Sequence, residues 1–256
     1  MDTIPISVTI LTKDSARLLR EVLEALRSFD EVVVADNGSS DATLEIARAF
    51  PNVKIHCTEF KGFGPLHNEV AALARNDWIF SLDSDEVLTP ELVAELRALR
   101  LDDNCVYSVA SKNFYNGKWI RRGGWYPDRK LRLYNRKRTR FSDAQVHESV
   151  LTEGMREAAL RNPMNHFSYT CVADFITKTQ RYSELFAQEN RGRKKSSLSI
   201  AVLHATAAFL KSYFFKLGFL DGREGFVICA YQGKVAYYKY LKLLEANEKA
   251  QQSTRP

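Results

Sequence analysis

Two carboxylates separated by one residue, Asp83 and Asp85 around Ser84, end an apolar run from Trp78 to Leu82. In extended backbone, residues i and i+2 point to the same side, so this pair can address one ion at a strand end. A hard divalent cation needs oxygen ligands, and Mg²⁺ usually takes one or two carboxylates plus substrate phosphates and water. The same residues can instead cap a helix beginning near Pro90, and Glu86 faces elsewhere unless the chain turns there. A second polar cluster, Asp36-Asn37-Gly38-Ser39-Ser40-Asp41, follows the apolar segment Glu31–Ala35. It can meet a ligand or close an Asx turn at Asn37-Gly38. Arg129, Lys130 and Arg132 can neutralise a diphosphate, because Arg makes charge-assisted bonds to phosphate oxygens. Alternation sends Arg129 and Leu131 one way and Lys130 and Arg132 the other, so only part of the set reaches one site. His147-Glu148 adds two groups able to take a proton, and His is itself a competent base near neutral pH.

These residues need a frame, and hydrophobic periodicity supplies one. Ile6–Leu11 reads as a strand, followed by a helix over Asp14–Ser28 with Leu18, Leu19, Val22, Leu23 and Leu26 at helical spacing. The pattern repeats with Glu31–Ala35 and Ala42–Phe50, then with Val53–His56 and Leu66–Ala74, before the fourth strand at Trp78–Leu82. Strands alternating with amphipathic helices predict a mostly parallel sheet covered on both faces, whose ligands bind at the carboxyl ends of the strands. Both acidic clusters stand at such ends. Leu11-Thr12-Lys13-Asp14 occupies the place of a G-x-G-x-x-G, which disfavours a dinucleotide-binding Rossmann domain, and the Walker A pattern is missing. Beyond residue 100 the pattern turns to strands at Val106–Phe114, Trp119–Arg122, Lys130–Tyr134 and Ser149–Leu151, with a hairpin turn at Asn116-Gly117. Helices follow over Ala173–Glu189, Leu198–Leu220 and Gly225–Leu244, and the polar tail Glu245–Pro256 is expected to fray.

The 256 residues are enough for a full core without disulfides. Four dispersed cysteines with no C-x-x-C pair argue against a zinc ribbon and a disulfide scaffold, so reduced cytosol is the simplest setting. The first residues lack the basic start and apolar core of a signal peptide. The net charge of +6 is split: residues 1–100 carry 10 Lys and Arg against 17 Asp and Glu, and residues 101–256 carry 27 against 14. An acidic half suited to a metal thus adjoins a basic half suited to phosphates or an anionic membrane. A nucleic-acid-binding protein would also account for a pI of 9.1, but the acidic half and the lack of a recognised motif speak against it.

Val32-Val33-Val34-Ala35-Asp36-Asn37-Gly38-Ser39-Ser40-Asp41-Ala42-Thr43 and Asp77-Trp78-Ile79-Phe80-Ser81-Leu82-Asp83-Ser84-Asp85-Glu86 closely resemble the family-2 glycosyltransferases. Thr9-Ile10-Leu11-Thr12-Lys13-Asp14 matches their first strand and its exit loop, and Ala71-Ala72-Leu73-Ala74-Arg75 precedes the fourth strand, so the likeness runs in order over residues 6–90. Within that family the sequence is similar to the lipopolysaccharide core β-glucosyltransferases, through Trp125–Tyr134 and Val146-His147-Glu148. The resemblance implies a GT-A-like α/β nucleotide-sugar-binding domain with a helical C-terminal region. The parts would be a nucleotide-sugar and metal half at 1–100, an acceptor-side half at 101–171 and a helical region at 172–256. It also implies an inverting hexosyl transfer, with UDP-glucose first among donors and a glycolipid as acceptor. A transferase loading sugar onto a polyprenyl phosphate is the alternative.

By the same resemblance, Asp36 binds nucleobase or ribose, Thr12 lines that pocket and Lys61 lies beside the nucleotide. Asp83 faces ribose and metal, Asp85 binds the metal, Mg²⁺ or Mn²⁺, and Arg129 and Arg132 serve the diphosphate. Glu148 is the base, with His147 positioning it or standing on the metal side. The family usually places an acidic residue before the base, where this sequence has His147, so the order of these two roles stays open. Trp125 and Tyr126 can stack on a sugar ring or belong to the core.

Leu198–Leu210 is almost wholly apolar yet shorter than the roughly 20 residues of a spanning helix. Lys211, Lys216, Lys234, Lys239 and Lys242 are interleaved with Tyr and Phe. Basic residues among aromatics suit the headgroup region of an anionic membrane, as for a peripheral protein on the cytoplasmic face of the inner membrane. An ordinary helical subdomain or an oligomer contact would use the same pattern.

Overall fold

The structure, a computed structural model, describes residues 3–144, 148–169 and 171–253. Chain contacts divide into two compact units. One comprises residues 1–111 and 128–166, and the other residues 112–127 and 167–256.

The first unit opens with three strand-helix pairs: β1 (Ile4–Thr12), α1 (Ala16–Ala25), β2 (Phe29–Asp36), α2 (Thr43–Arg48), β3 (Val53–Cys57) and α3 (Phe63–Leu73). β4 (Trp78–Asp83), β5 (Glu86–Val87) and α4 (Pro90–Ala98) follow, then β6 (Cys105–Tyr115), with β7 (Lys118–Trp119) in the second unit. β8 (Asp128–Asn135), β9 (Arg156–Ala159) and β10 (Met164–Tyr169) complete the strands. The sheet order is β3-β2-β1-β4-β8-β6-β10-β5. β3, β2, β1 and β4 are parallel, whereas β8 runs antiparallel to both β4 and β6.

Side-chain alternation builds a core on each face of the parallel part. Val32 and Val34 join Ile6, Val8, Leu19, Leu23 and Leu92, while Val33 and Ala35 face the other way onto Leu66, Val70 and Ala71 of α3. With both faces buried, the strands are held in fixed register, Leu11 beside Asp83 and Thr12 beside Asp36. The two acidic clusters are therefore brought to one edge of the sheet by packing far beneath them.

The second unit holds α5 (Val172–Asn190), α6 (Leu198–Leu210) and α7 (Gly222–Ser253). Its small core gathers Tyr115, Ile120, Phe175 and Ile228, with Trp125, Tyr169 and Tyr231 packed on it, so Trp125 is a core aromatic here. The Asn116-Gly117 hairpin forms with both residues at positive φ, as a two-residue turn of this kind requires. The strand expected at Trp119–Arg122 is the short β7, that expected at Ser149–Leu151 is an isolated bridge at Val150, and the helices differ at their ends. α7 continues to Ser253 where fraying was expected, and the helix expected over Leu198–Leu220 is α-helical only to Leu210 and then passes into a π-helical turn, Lys211–Phe215. The resulting 18-residue stretch Leu198–Phe215 is long and apolar enough to cross a membrane by length and composition, and little of it is buried.

Candidate active site

At the nucleoside end, Asp36 is fixed by its own loop. Its carboxylate accepts from the backbone N–H of Gly38 at 3.0 Å and of Ser39 at 2.9 Å, from the Ser39 hydroxyl, and from the Thr12 hydroxyl at 3.2 Å. Gly38 holds φ at +85°, a conformation its lack of Cβ makes inexpensive. The Asx turn and the strand-end carboxylate are thus the same object. Asp14, at the exit of β1, accepts from Ser40 N–H at 2.8 Å and its own N–H donates to Ser39 Oγ at 2.9 Å. The loops after β1 and β2 are locked together.

The second cluster is denser than its sequence suggests. The chain turns at Ser84-Asp85, so Asp83 and Asp85 lie on either side of a bend and not on one extended strand as expected, and β5 pairs antiparallel with β10, placing Glu86 opposite His166. Arg132 from β8 sends one guanidinium nitrogen to both Asp83 Oδ2 and Glu86 Oε1, each at 2.6 Å. Lys130, two residues earlier on the same face of β8, stands 3.7 Å from Asp83 and 3.8 Å from Glu86. His166 Nε2 lies 3.4 Å from Asp85 Oδ1, and Glu86 also accepts the Asp83 backbone N–H at 3.1 Å. Glu86 is fully buried, Arg132 is nearly so, and the Asp83 side chain remains 41 % exposed.

Burial works against the charge of Asp83, but the Arg132 guanidinium and then the Lys130 ammonium hold its carboxyl well below the usual carboxylate range. For Glu86 burial dominates: it outweighs Arg132, the nearby Asp83 charge adds to it, and the carboxyl is pushed up. Burial alone would loosen the proton of Arg132, yet Asp83 and Glu86 hold it in place. The site thus keeps one carboxylate firmly ionised and open at its rim, over a buried pair that fixes its direction. Below lies His67, packed on Phe141 with ring centroids 4.3 Å apart and 3.2 Å from Ser81 Oγ. Burial pushes its imidazole down to about 4, against the pull of Asp83, so the ring is neutral at pH 7.

Of the residues singled out in the sequence, Thr12 joins Asp36, and Asp83 joins Arg132. Arg129 points elsewhere and donates to the Leu160 carbonyl at 3.1 Å, as the alternation requires. Lys61 pairs with Glu69 at 3.2 Å. Glu148 is half-buried in the loop between Phe141 and Val150, which form an isolated bridge; His147 lies outside the described residues. That loop is anchored by Asn68, whose amide exchanges two hydrogen bonds with the Phe141 backbone at 2.9 and 3.0 Å. Gly64 at the start of α3 accommodates the loop backbone, since a Cβ there would come within 2.0 Å of the Ser142 carbonyl oxygen. His166 and this anchor escaped the sequence reading, which left the direction of Glu86 to a turn. His166 offered no signal, because its strand carries no clear alternation.

Asp83 and Asp85 suit a hard cation by donor type, and a pair of carboxylates completed by phosphate oxygens and water is the set Mg²⁺ usually takes. Among the described residues no group of three His, Cys, Asp or Glu forms a self-sufficient metal site. An ion here would depend on the phosphates of its substrate and would share Asp83 with Arg132.

Residues 7–162 match the family model described as Glycosyl transferase family 2. An uncharacterized glycosyltransferase of Rickettsia typhi is 28 % identical over 258 residues, 95 % of this chain and 87 % of that protein. The lipopolysaccharide core biosynthesis glycosyltransferase LpsC of Rhizobium meliloti is 26 % identical, covering 88 % of this chain and 86 % of its own length. Among solved structures, the mannosyltransferase PcManGT from Pyrobaculum calidifontis, in complex with GDP-Man and Mn²⁺, aligns over 98 % of this chain and 88 % of its own. Its TM-score is 0.52 at 15 % identity, a likeness of GT-A fold. The matched segment takes in β1 from Ser7 onward, β2–β4, the Asp36 loop and the carboxylates bound by Arg132, and it establishes that the chain belongs to glycosyl transferase family 2 and is a glycosyltransferase.

Proposed function

We propose that this glycosyltransferase moves a hexose, glucose first, from a nucleoside-diphosphate donor of the UDP type to a hydroxyl of a lipopolysaccharide-core glycolipid, with inversion. The observation that carries the reading is the strand-end pair Asp83 and Asp85, with Arg132 and Lys130 close above a buried Glu86. LpsC, similar over most of both chains, supports the acceptor class, and the GDP-Man and Mn²⁺ bound by PcManGT support a nucleotide sugar with a divalent metal.

In this reading the loops fixed by Asp36, Thr12 and Asp14 form the nucleoside end, with Lys61 beside it. Asp83 and Asp85 hold Mg²⁺ or Mn²⁺. When bound, that ion supplies Lewis acidity that neutralises charge on the departing diphosphate. Lys130, half-buried and held only by long ion pairs, contacts the diphosphate, whereas Arg132 keeps Asp83 aimed. Glu148 accepts the proton of the acceptor hydroxyl as that oxygen attacks the sugar carbon, and His147 positions it. Arg129, which donates to the Leu160 carbonyl, reaches the donor only after leaving it.

The second unit carries 18 Lys and Arg against 7 Asp and Glu, a net charge of +11. It also exposes Leu203, Phe214, Phe215 and Leu220. Charge and apolar surface together suit peripheral attachment to an anionic membrane on the cytoplasmic side, where a lipid-linked acceptor resides. The testing experiment screens purified protein against a panel of nucleotide sugars for metal-dependent binding and slow hydrolysis, then follows radiolabelled sugar into membrane glycolipid. UDP-glucose should lead the panel and label should enter core glycolipid. Label in polyprenyl phosphate would move the protein to that acceptor class.

A further inference from the structure

We propose that the groove between α5 and α7 is a seat for one fatty-acyl chain of an anionic lipid, with Lys234 holding the lipid phosphate at its edge. The inference rests on the membrane part of the function proposed above and replaces general adsorption with a defined site.

The groove has a volume of about 540 Å³, within the range of small-molecule sites. Its floor is Phe175 and Tyr231, packed with ring centroids 4.5 Å apart. Its walls are Ile176 from α5 and Phe226 and Ala230 from α7. Ile176 is 66 % exposed, an expensive state for an isoleucine unless something covers it. Two polar residues of α5 border the groove, Thr179 and Gln180, and the Thr179 hydroxyl is spent on its own helix, donating to the Phe175 carbonyl at 2.7 Å. The groove therefore offers contact to an apolar chain and few hydrogen bonds to a peptide.

Lys234 supplies the charge. It is exposed and, among the described residues, forms no ion pair, whereas Lys242 and Lys118 are each matched to a glutamate. Lys234 also borders a second hollow on the other side of α7, of about 490 Å³, lined by Ala205 and Phe209 of α6. One unmatched ammonium thus stands between two apolar hollows, and beyond them α6 carries its exposed apolar stretch to Phe215, itself 84 % exposed. Soluble monomers rarely leave so much contiguous apolar surface uncovered. A cation at the mouth of an apolar groove complements an anionic head on an aliphatic tail.

The test uses the full chain and 14-carbon lyso-phosphatidylglycerol below its micelle-forming concentration, followed by calorimetry and native mass spectrometry. One lipid per chain should bind, and glycerophosphoglycerol, which lacks the chain, should not. Ala230→Trp fills the groove and should weaken binding by about tenfold or more. Ile176→Glu, at an exposed position with little folding risk, should do the same if Ala230→Trp fails to fold. Lys234→Gln should weaken the lipid about three- to tenfold and leave a neutral 12-carbon detergent unaffected. No lipid binding by the parent chain, or unaltered binding in the folded groove variants, would overturn the proposal. So would a concentration-dependent dimer that Ile176→Glu dissolves, which would give the groove to a second copy. Donor hydrolysis on the other unit is read separately, so loss of the lipid seat and loss of the catalytic reading are distinguishable.

Discussion

The two units handle charge in opposite ways. In the first, 19 Lys and Arg stand against 24 Asp and Glu, and the decisive charges are sunk into the end of a sheet. Glu86 is fully buried, Arg132 spans it and Asp83, and packing on both sheet faces leaves them little freedom. In the second unit the charge is positive, spread along helices and exposed, and large apolar side chains are exposed beside it. Precise chemistry asks for few groups in fixed directions, which a buried network provides. Attachment to a fluid surface asks for area and charge, with little demand on direction.

The contrast can be broken most decisively on the acidic side. Asp85→Ala should abolish sugar transfer with the fold intact by circular dichroism, because the side chain is partly exposed at a strand end. Next in size, Glu148→Gln should lower turnover roughly 10²–10⁴-fold with little change in donor affinity, the pattern of a group that matters in the transition state. His147→Ala should be milder; activity in the first variant with none in the second would exchange the two roles. Arg132→Met leaves Glu86 buried without its partner and should cost about 3–5 kcal/mol in denaturant unfolding. The double variant Arg132→Met/Glu86→Leu should regain much of that stability but not activity, which separates the pair's positioning role from its contribution to folding.

A smaller effect sharpens the same comparison through pH. His67 has its folded-state value pushed down to about 4 from 6.5, so the unfolded chain binds its proton first as pH falls. Its contribution is fully present above about pH 6.5 and is lost as pH falls toward about 4, on the order of 3 kcal/mol in all. His67→Gln should flatten that part of the stability profile; an unchanged slope would mean the imidazole is not held neutral. Smallest, Asp36→Ala should weaken donor binding with less loss at saturating donor, since its loop shapes the ground-state pocket.

Much of the first unit was readable from periodicity. β1 to β4 and their helices recur at regular spacing, and alternation along β8 correctly separated Arg129 from Lys130 and Arg132. For Glu86 alternation left two directions open, and the turn at Ser84-Asp85 decides between them. β9 and β10 left no signature: Arg156–Ala159 is short and polar, and it exists by pairing with Cys105–Ser108, a partner about fifty residues away. His166 arrived at the site through the pairing of β10 with β5, about eighty residues away. The tail of α7 was expected to fray from its composition, yet the helix continues, and the polar side chains there suit a helix with one solvated face. The lipid-like surface was visible as composition, but the α5/α7 groove depends on which faces of the two helices meet.

The most direct test of the central claim, that the donor is held at the strand ends around Asp83 and Asp85, is calorimetric titration of UDP-glucose into the protein with and without Mn²⁺. The account predicts saturable one-to-one binding that strengthens at least about tenfold with the metal and loses that gain in Asp85→Ala. Binding that is equally tight after chelation, in both the parent chain and the variant, would contradict it.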